Sequence, residues 1–173
     1  MDVLSLEIKS KIDDPKRIES LLKLKNARFI GEDRQIDTYF SINNGRLKLR
    51  QGKIENTLIY YQRPESKGIK RSIVKIQKLS SDNEALRNIL DRTIGILTVV
   101  DKKRKIFFID NVKFHIDDVR ELGSFIEIEA LDTTGNLTEE NLKDQCEYYI
   151  DYLHLDRAKF IDKSYSDMVN NHS

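Results

Sequence analysis

Apolar and charged residues alternate through most of this chain, and that alternation limits the fold more than any other feature. In VLSLEIKSKI, Ser5, Glu7, Lys9 and Lys11 fall in one phase, and Leu4, Leu6 and Ile8 in the other. Side chains along a strand point to opposite faces in turn, so a period of two marks a strand with unlike faces. QIDTYFSI, GRLKLRQG, NTLIYYQR, RSIVKIQKL, LTVVDKKRKIFFI, NVKFHIDDV and SFIEIEAL are further strand candidates. Asn44-Gly45 is a hairpin signal, because both residues tolerate positive φ. Asp110-Asn111 makes a second tight link. About eight short strands in succession argue for an antiparallel barrel or sandwich.

Helical segments interrupt the pattern. Asp14-Pro15 reads as an N-cap and first helical position, followed by Ile18, Leu21, Leu22 and Leu24 and an end near Gly31. Ser81 or Asp82 caps a helix through 83–93, Thr138 caps one from 139 to about 153, and a shorter one covers 157–169. No βαβ alternation appears, so a parallel sheet is not expected. The expected class is α+β, an antiparallel β-barrel with flanking helices in one domain over residues 1–173.

Charged residues make up 34% of the chain, yet the formal net charge is only +1. That balance gives no general attraction to nucleic acid or membrane, and no basic tail or recognition helix is present. No apolar run reaches the ~18 residues of a membrane span. The first residues lack an apolar core of signal length. Cys146 is the one cysteine, which fits a cytoplasmic setting and a structural role. The late helix carrying Tyr148, Tyr149, Ile150 and Leu153 either packs on the barrel or makes a homodimer contact.

The position of the charges matters more than their sum. Arg46, Lys48 and Arg50 share one face, as do Lys102 and Arg104. Lys113, His115 and Asp117 share another, and so do Glu127 and Glu129. On a single strand such a face is ordinarily solvated. If these faces instead point into a barrel, they line a cavity. Buried cations need an anion, and a triphosphate suits Arg forks and Lys point charges. Neighbouring carboxylates make sense if Mg²⁺ or Mn²⁺ accompanies the phosphates. Leu6, Ile8, Leu47, Leu49, Ile126 and Ile128, on the opposite faces, are expected to pack under the helices.

These residues resemble the CYTH superfamily, the triphosphate tunnel metalloenzymes, over about residues 3–168. The hallmark E-x-E-x-K strand is matched by Ser5-Leu6-Glu7-Ile8-Lys9. QIDTYF, GRLKLR, LIYYQR, DKKRKIFF, FHIDDVRELGSFIEIEA and KSYSDMV are similar to the class IV adenylyl cyclase-like branch. The resemblance implies an eight-stranded tunnel open at both ends. It implies metal ligands at Glu7, Glu127 and Glu129, and catalytic roles for Glu7, Lys9 and Glu129. It implies substrate contacts from Lys9, Lys11, Arg46, Lys48, Arg50, Arg63, Lys102, Arg104 and Tyr165. Asp117 would orient a neighbouring cation, and Tyr165 lies in a segment resembling a lid over one mouth. Ser5 departs from the hallmark, since a hydroxyl is a weaker, neutral ligand for a hard cation. The implied activity is metal-dependent triphosphate hydrolysis. The alternatives are cyclisation of ATP to cyclic AMP, or binding of a polyphosphate or nucleotide without turnover. His115 reads as a structural or lumen hydrogen-bonding group, and Tyr60-Tyr61 as barrel packing.

Overall fold

A computed structural model describes residues 3–62, 68–80 and 83–170. The alternating segments form β1 (Val3–Lys11), β2 (Arg28–Phe40), β3 (Arg46–Gln51), β4 (Thr57–Gln62), β5 (Lys70–Lys78), β6 (Ile96–Ile109), β7 (Val112–Val119) and β8 (Gly123–Asp132). They pair in the order β1-β5-β4-β3-β2-β6-β7-β8 and close into a barrel. Every pairing is antiparallel. Closure removes the exposed strand edges that an open sheet would carry.

The helices are α1 (Pro15–Leu24), α2 (Glu84–Ile94), α3 (Glu139–Tyr152) and α4 (Tyr165–Asn170). Asp14 caps α1 by accepting a hydrogen bond from the Arg17 amide at 3.0 Å, and Thr138 with Asn141 forms a capping box on α3. Two helix boundaries differ from expectation. The first helix stops at Leu24, because Asn26 takes a positive φ of 55° and starts the turn into β2. Gly31 lies inside β2, at a bulge after Phe29, with the Ile54 side chain where a Cβ would sit. The segment 157–169 is not one helix. A short 3₁₀ turn, Arg157–Lys159, gives way to extended chain at Phe160, which bridges to Ser10 on β1, before α4 begins. Asn83 is the N-cap of α2; Ser81 and Asp82 lie outside the described residues.

The apolar phase of β1, β7 and β8 faces outward. Leu6, Ile8, Phe114, Ile116, Ile126 and Ile128 pack there against Ile18 and Leu22 of α1 and Leu142, Cys146 and Ile150 of α3. The main core therefore lies between barrel wall and helices, which leaves the barrel interior for charge. Leu47 and Leu49 do not join this cluster, since β3 lies on the side of the barrel away from α1 and α3. The Cys146 thiol donates to the Leu6 carbonyl at 3.6 Å, and burial pushes its pKa up to about 12, so it is an inert packed group. Leu22 is fully buried, whereas Leu24 is 75% exposed. Leu22→Ala is expected to cost about 3 kcal/mol in urea unfolding, and Leu24→Ala less than about 0.5 kcal/mol.

Candidate functional site

The charged phase faces inward, around a cavity of about 870 Å³. Strand register sets its layout. Glu7 on β1 lies opposite Glu129 on β8, which lies opposite Lys113 on β7. One step along, Lys9 faces Glu127, and Glu127 faces His115. Across the barrel, Asp37 on β2 is opposite Arg50 on β3, and Gln35 is opposite Lys102 on β6.

One end of the barrel is shut. The Tyr165 hydroxyl donates to Asp117 Oδ2 at 2.7 Å, and its ring lies 3.8 Å from Lys9 Nζ. Asp167 accepts a two-pronged bond from Arg46 at 2.9 Å on each oxygen. The backbone before α4 is tied to β1 by the Ile161 amide and held by the Lys70 ammonium on the Asp162 carbonyl. The segment expected as a lid over one tunnel mouth is α4, which packs across that end of the barrel. At the open end the lining turns apolar, with Ile30, Ile54 and Ile76 partly exposed.

Inside, the cations are matched by carboxylates. Asp37, wholly buried, accepts from Arg50 Nε at 2.8 Å, Arg50 Nη2 at 2.9 Å and Lys102 Nζ at 2.9 Å, with Lys48 Nζ at 3.5 Å. Burial alone would raise its pKa. Arg50, Lys102 and Lys48 outweigh burial and hold the carboxyl well below the ordinary range. Arg104 donates to both oxygens of Asp117, at 2.6 and 2.5 Å, and to Glu127 Oε2 at 2.7 Å. Glu127 also receives Lys9 Nζ at 3.1 Å and His115 Nδ1 at 3.1 Å. A deprotonated Glu127 only accepts, so His115 Nδ1 carries the proton. Its Nε2 is then a bare acceptor, buried in the cavity wall without a partner among the described residues. Burial, with Arg104 and Lys113 nearby, pushes the imidazole down to about 3, so it stays neutral.

Of the residues expected to touch substrate, Lys9, Lys48, Arg50, Lys102, Arg104 and Tyr165 line the cavity, as do Glu7, Glu127 and Glu129. Two do not. Lys11 is exposed at the end of β1, beyond the floor made by α4. Arg46 is turned to Asp167 and holds the C-terminal helix. Arg63 lies outside the described residues. Sequence reasoning passed over Asp33, Gln35 and Asp37, although they share one phase of β2 with Tyr39. It also passed over Glu55, which sits in the loop after β3 with no periodicity to mark it.

The Lys102 ammonium is sensitive to pH near neutrality. Burial first, then Arg104 and Arg50, lowers its pKa to about 7, against the pull of Asp37 and Asp117. Its ammonium form prevails below that value. An anion entering the cavity favours this form, so binding above pH 7 takes up a proton. Affinity for inorganic triphosphate is expected to fall as pH rises beyond about 7. Calorimetry in buffers of different ionisation enthalpy reads the proton uptake, and Lys102→Met should abolish this component.

The donor set fits a hard divalent cation in part. Glu7 and Glu129 are cross-strand neighbours in the cavity, and the Ser5 hydroxyl donates to Glu129 Oε1 at 3.2 Å. Burial and the adjacent Glu7 and Glu127 raise the Glu129 pKa, against Lys113 and Ser5. That is a carboxylate a divalent cation would relieve. The expected trio is not assembled: among the described residues no three His, Cys, Asp or Glu side chains converge on one point. Glu127 is drawn instead to Arg104 and Lys9.

The CYTH domain model matches residues 4–165. The chain belongs to the CYTH family. This CYTH chain is 27% identical over 175 residues to a Methanocaldococcus jannaschii protein named "Putative adenylate cyclase", covering 96% of the chain and 98% of that protein. A Pyrococcus horikoshii structure superposes with a TM-score of 0.82 at 21% identity, covering 96% of this chain and 98% of the other. A Hippeastrum protein described as having a dominant triphosphatase activity superposes at 0.63 with 13% identity, covering 100% and 97%. The two structural likenesses establish the shared fold. Among the described residues, no helix is long and apolar enough to cross a membrane.

Proposed function

We propose that the cavity of this CYTH chain binds a triphosphate together with a divalent cation and hydrolyses its terminal phosphate. The observation that carries this reading is the cation cluster Lys9, Lys48, Arg50, Lys102, Arg104 and Lys113 on the wall of one blind cavity. Arg50 and Arg104 are pinned by Asp37 and Asp117, so their planes are set before ligand arrives. Lys9, Lys48 and Lys102 converge near the floor and supply point charges. Such a site works by positioning and charge stabilisation, which is most of what phosphoryl transfer needs. Glu7 and Glu129 would hold Mg²⁺ or Mn²⁺, which polarises a phosphoryl oxygen when bound. The chain's own contribution is to orient the phosphates, exclude bulk water at the closed end and neutralise charge.

Incubation with inorganic triphosphate, thiamine triphosphate and ATP, each with Mg²⁺ or Mn²⁺, tests the reading. Orthophosphate release supports it. Cyclic AMP from ATP would move the assignment to the cyclase reading, which the M. jannaschii relative's name and the apolar open end favour. Tight binding without product would make the chain a binding module, the outcome Ser5 favours. Glu129→Ala is expected to reduce turnover by about 10- to 100-fold while leaving the fold intact; full turnover in that variant would refute the metal assignment.

A further inference from the structure

We propose that Glu55 occupies an anion subsite at the open end of the cavity and thereby limits how long a phosphate chain the cavity accepts. The inference rests on the proposed triphosphate binding and assigns a specificity role to a residue outside it.

Three donors from three strands converge on this carboxylate. Arg50 Nη1 and Gln35 Nε2 reach Oε2 at 2.8 and 2.9 Å, and Lys113 Nζ bonds Oε1. An Arg, a Lys and an amide N–H directed at one point are the recognition set of a phosphate. Glu55 fills the place with the chain's own negative charge. Its pKa is held low because Arg50 and Lys113 outweigh burial.

The placement is built rather than incidental. Glu55 comes from the loop between β3 and β4, and that loop is tied down by Asp33, itself buried. Asp33 accepts the Lys53 amide at 2.8 Å and the Glu55 amide at 3.0 Å. Gly52 packs so closely that a Cβ there would strike the Asp33 carboxylate. Gln35 adds an independent sign. Its Nε2 serves both Asp33 and Glu55, while its Oε1 is buried with no partner among the described residues. Turning the amide over would set Oε1 against two carboxylates, so the unpaired oxygen is accepted in order to hold Glu55 in place.

The subsite is one guanidinium away from the main cluster. Arg50 bonds Asp37 through Nε and Nη2, beside Lys48 and Lys102, and bonds Glu55 through Nη1. A phosphate chain bound at the Lys48–Lys102 end and growing outward meets Glu55 where a further phosphate would go. Repulsion there falls hardest on the longest anion.

Calorimetric titration of the full chain and of Glu55→Gln, with tripolyphosphate and with tetrapolyphosphate under one set of Mg²⁺ and pH conditions, tests this. The variant is expected to bind tripolyphosphate about tenfold more tightly and to gain more, about 100-fold, for tetrapolyphosphate. Glu55→Ala, which also removes bulk, should give the same order. A preference between the two anions that does not move, or weaker binding in both variants, overturns the role of Glu55 and leaves the proposed function standing. If the unaltered chain binds neither anion, the proposed function falls and this inference with it.

Discussion

Asp37→Ala is expected to destabilise the barrel by about 3 to 5 kcal/mol, the largest stability effect of any single substitution considered. Asp37 is fully buried and balances Arg50, Lys102 and Lys48 together. Removing it leaves those cations facing one another in a low-dielectric interior. The lost hydrogen bonds are the smaller part; the uncompensated charge is the larger. Thermal or urea unfolding measures the loss. Arg34→Ala is the matched control. Its partner Asp101 is reached at 2.9 Å, but the Arg34 side chain is 69% exposed, so the pair is expected to contribute less than about 1 kcal/mol. Inorganic triphosphate should raise the melting temperature of Asp37→Ala if that protein folds, because the anion restores the missing negative charge.

Lys48→Met should do the reverse, leaving stability nearly unchanged and weakening triphosphate binding by about 100-fold. Lys48 is the least committed of the inward cations near Asp37. Its ammonium lies 3.5 Å from Asp37 Oδ2 and 3.5 Å from the Tyr39 hydroxyl, longer than the bonds of Arg50 or Lys102. A cation held loosely in the free protein has the most to gain from an incoming anion. Losing one buried, hydrogen-bonded charge from an interface costs about 2 to 5 kcal/mol of binding. Calorimetry with inorganic triphosphate gives the affinity, and a melting curve on the same sample separates binding from folding. Equal affinity in Lys48→Met would place the anion away from the Asp37 cluster.

The barrel was legible because register and phase are linked. Once β1, β3, β6, β7 and β8 each showed a charged phase, closure put those phases on one side together, and Lys9, Lys48, Arg50, Lys102 and Arg104 met as expected. The positions that escaped have physical reasons. Lys11 and Arg46 share that phase but lie at the end closed by α4, and period two does not say where a strand leaves the cavity. Arg46 was bound to differ once Asp167 came within reach, a contact made by chain more than a hundred residues away. Asp33, Gln35 and Asp37 share a phase that could be read in DRQIDTY, but a cation-centred search discounts carboxylates. They matter because buried cations need counter-charges when no ligand is bound. Glu55 had no local signal, since its place depends on how Asp33 folds the loop after β3. A metal-ligand role for Glu127 is implied by the family resemblance alone. In the barrel Glu127 stands beside Arg104 and Lys9, which compete for the same oxygens.

The most direct test of a triphosphate cavity is a crystal structure of the protein with tripolyphosphate and Mn²⁺, using the anomalous signal of the metal. The account predicts a phosphate chain inside the barrel, in contact with Lys48, Lys102 and Arg50, with Mn²⁺ between it and the Glu7–Glu129 pair. Phosphate density confined to the outer surface, with the Asp37 and Glu127 networks unchanged and the cavity filled only by water, would contradict it.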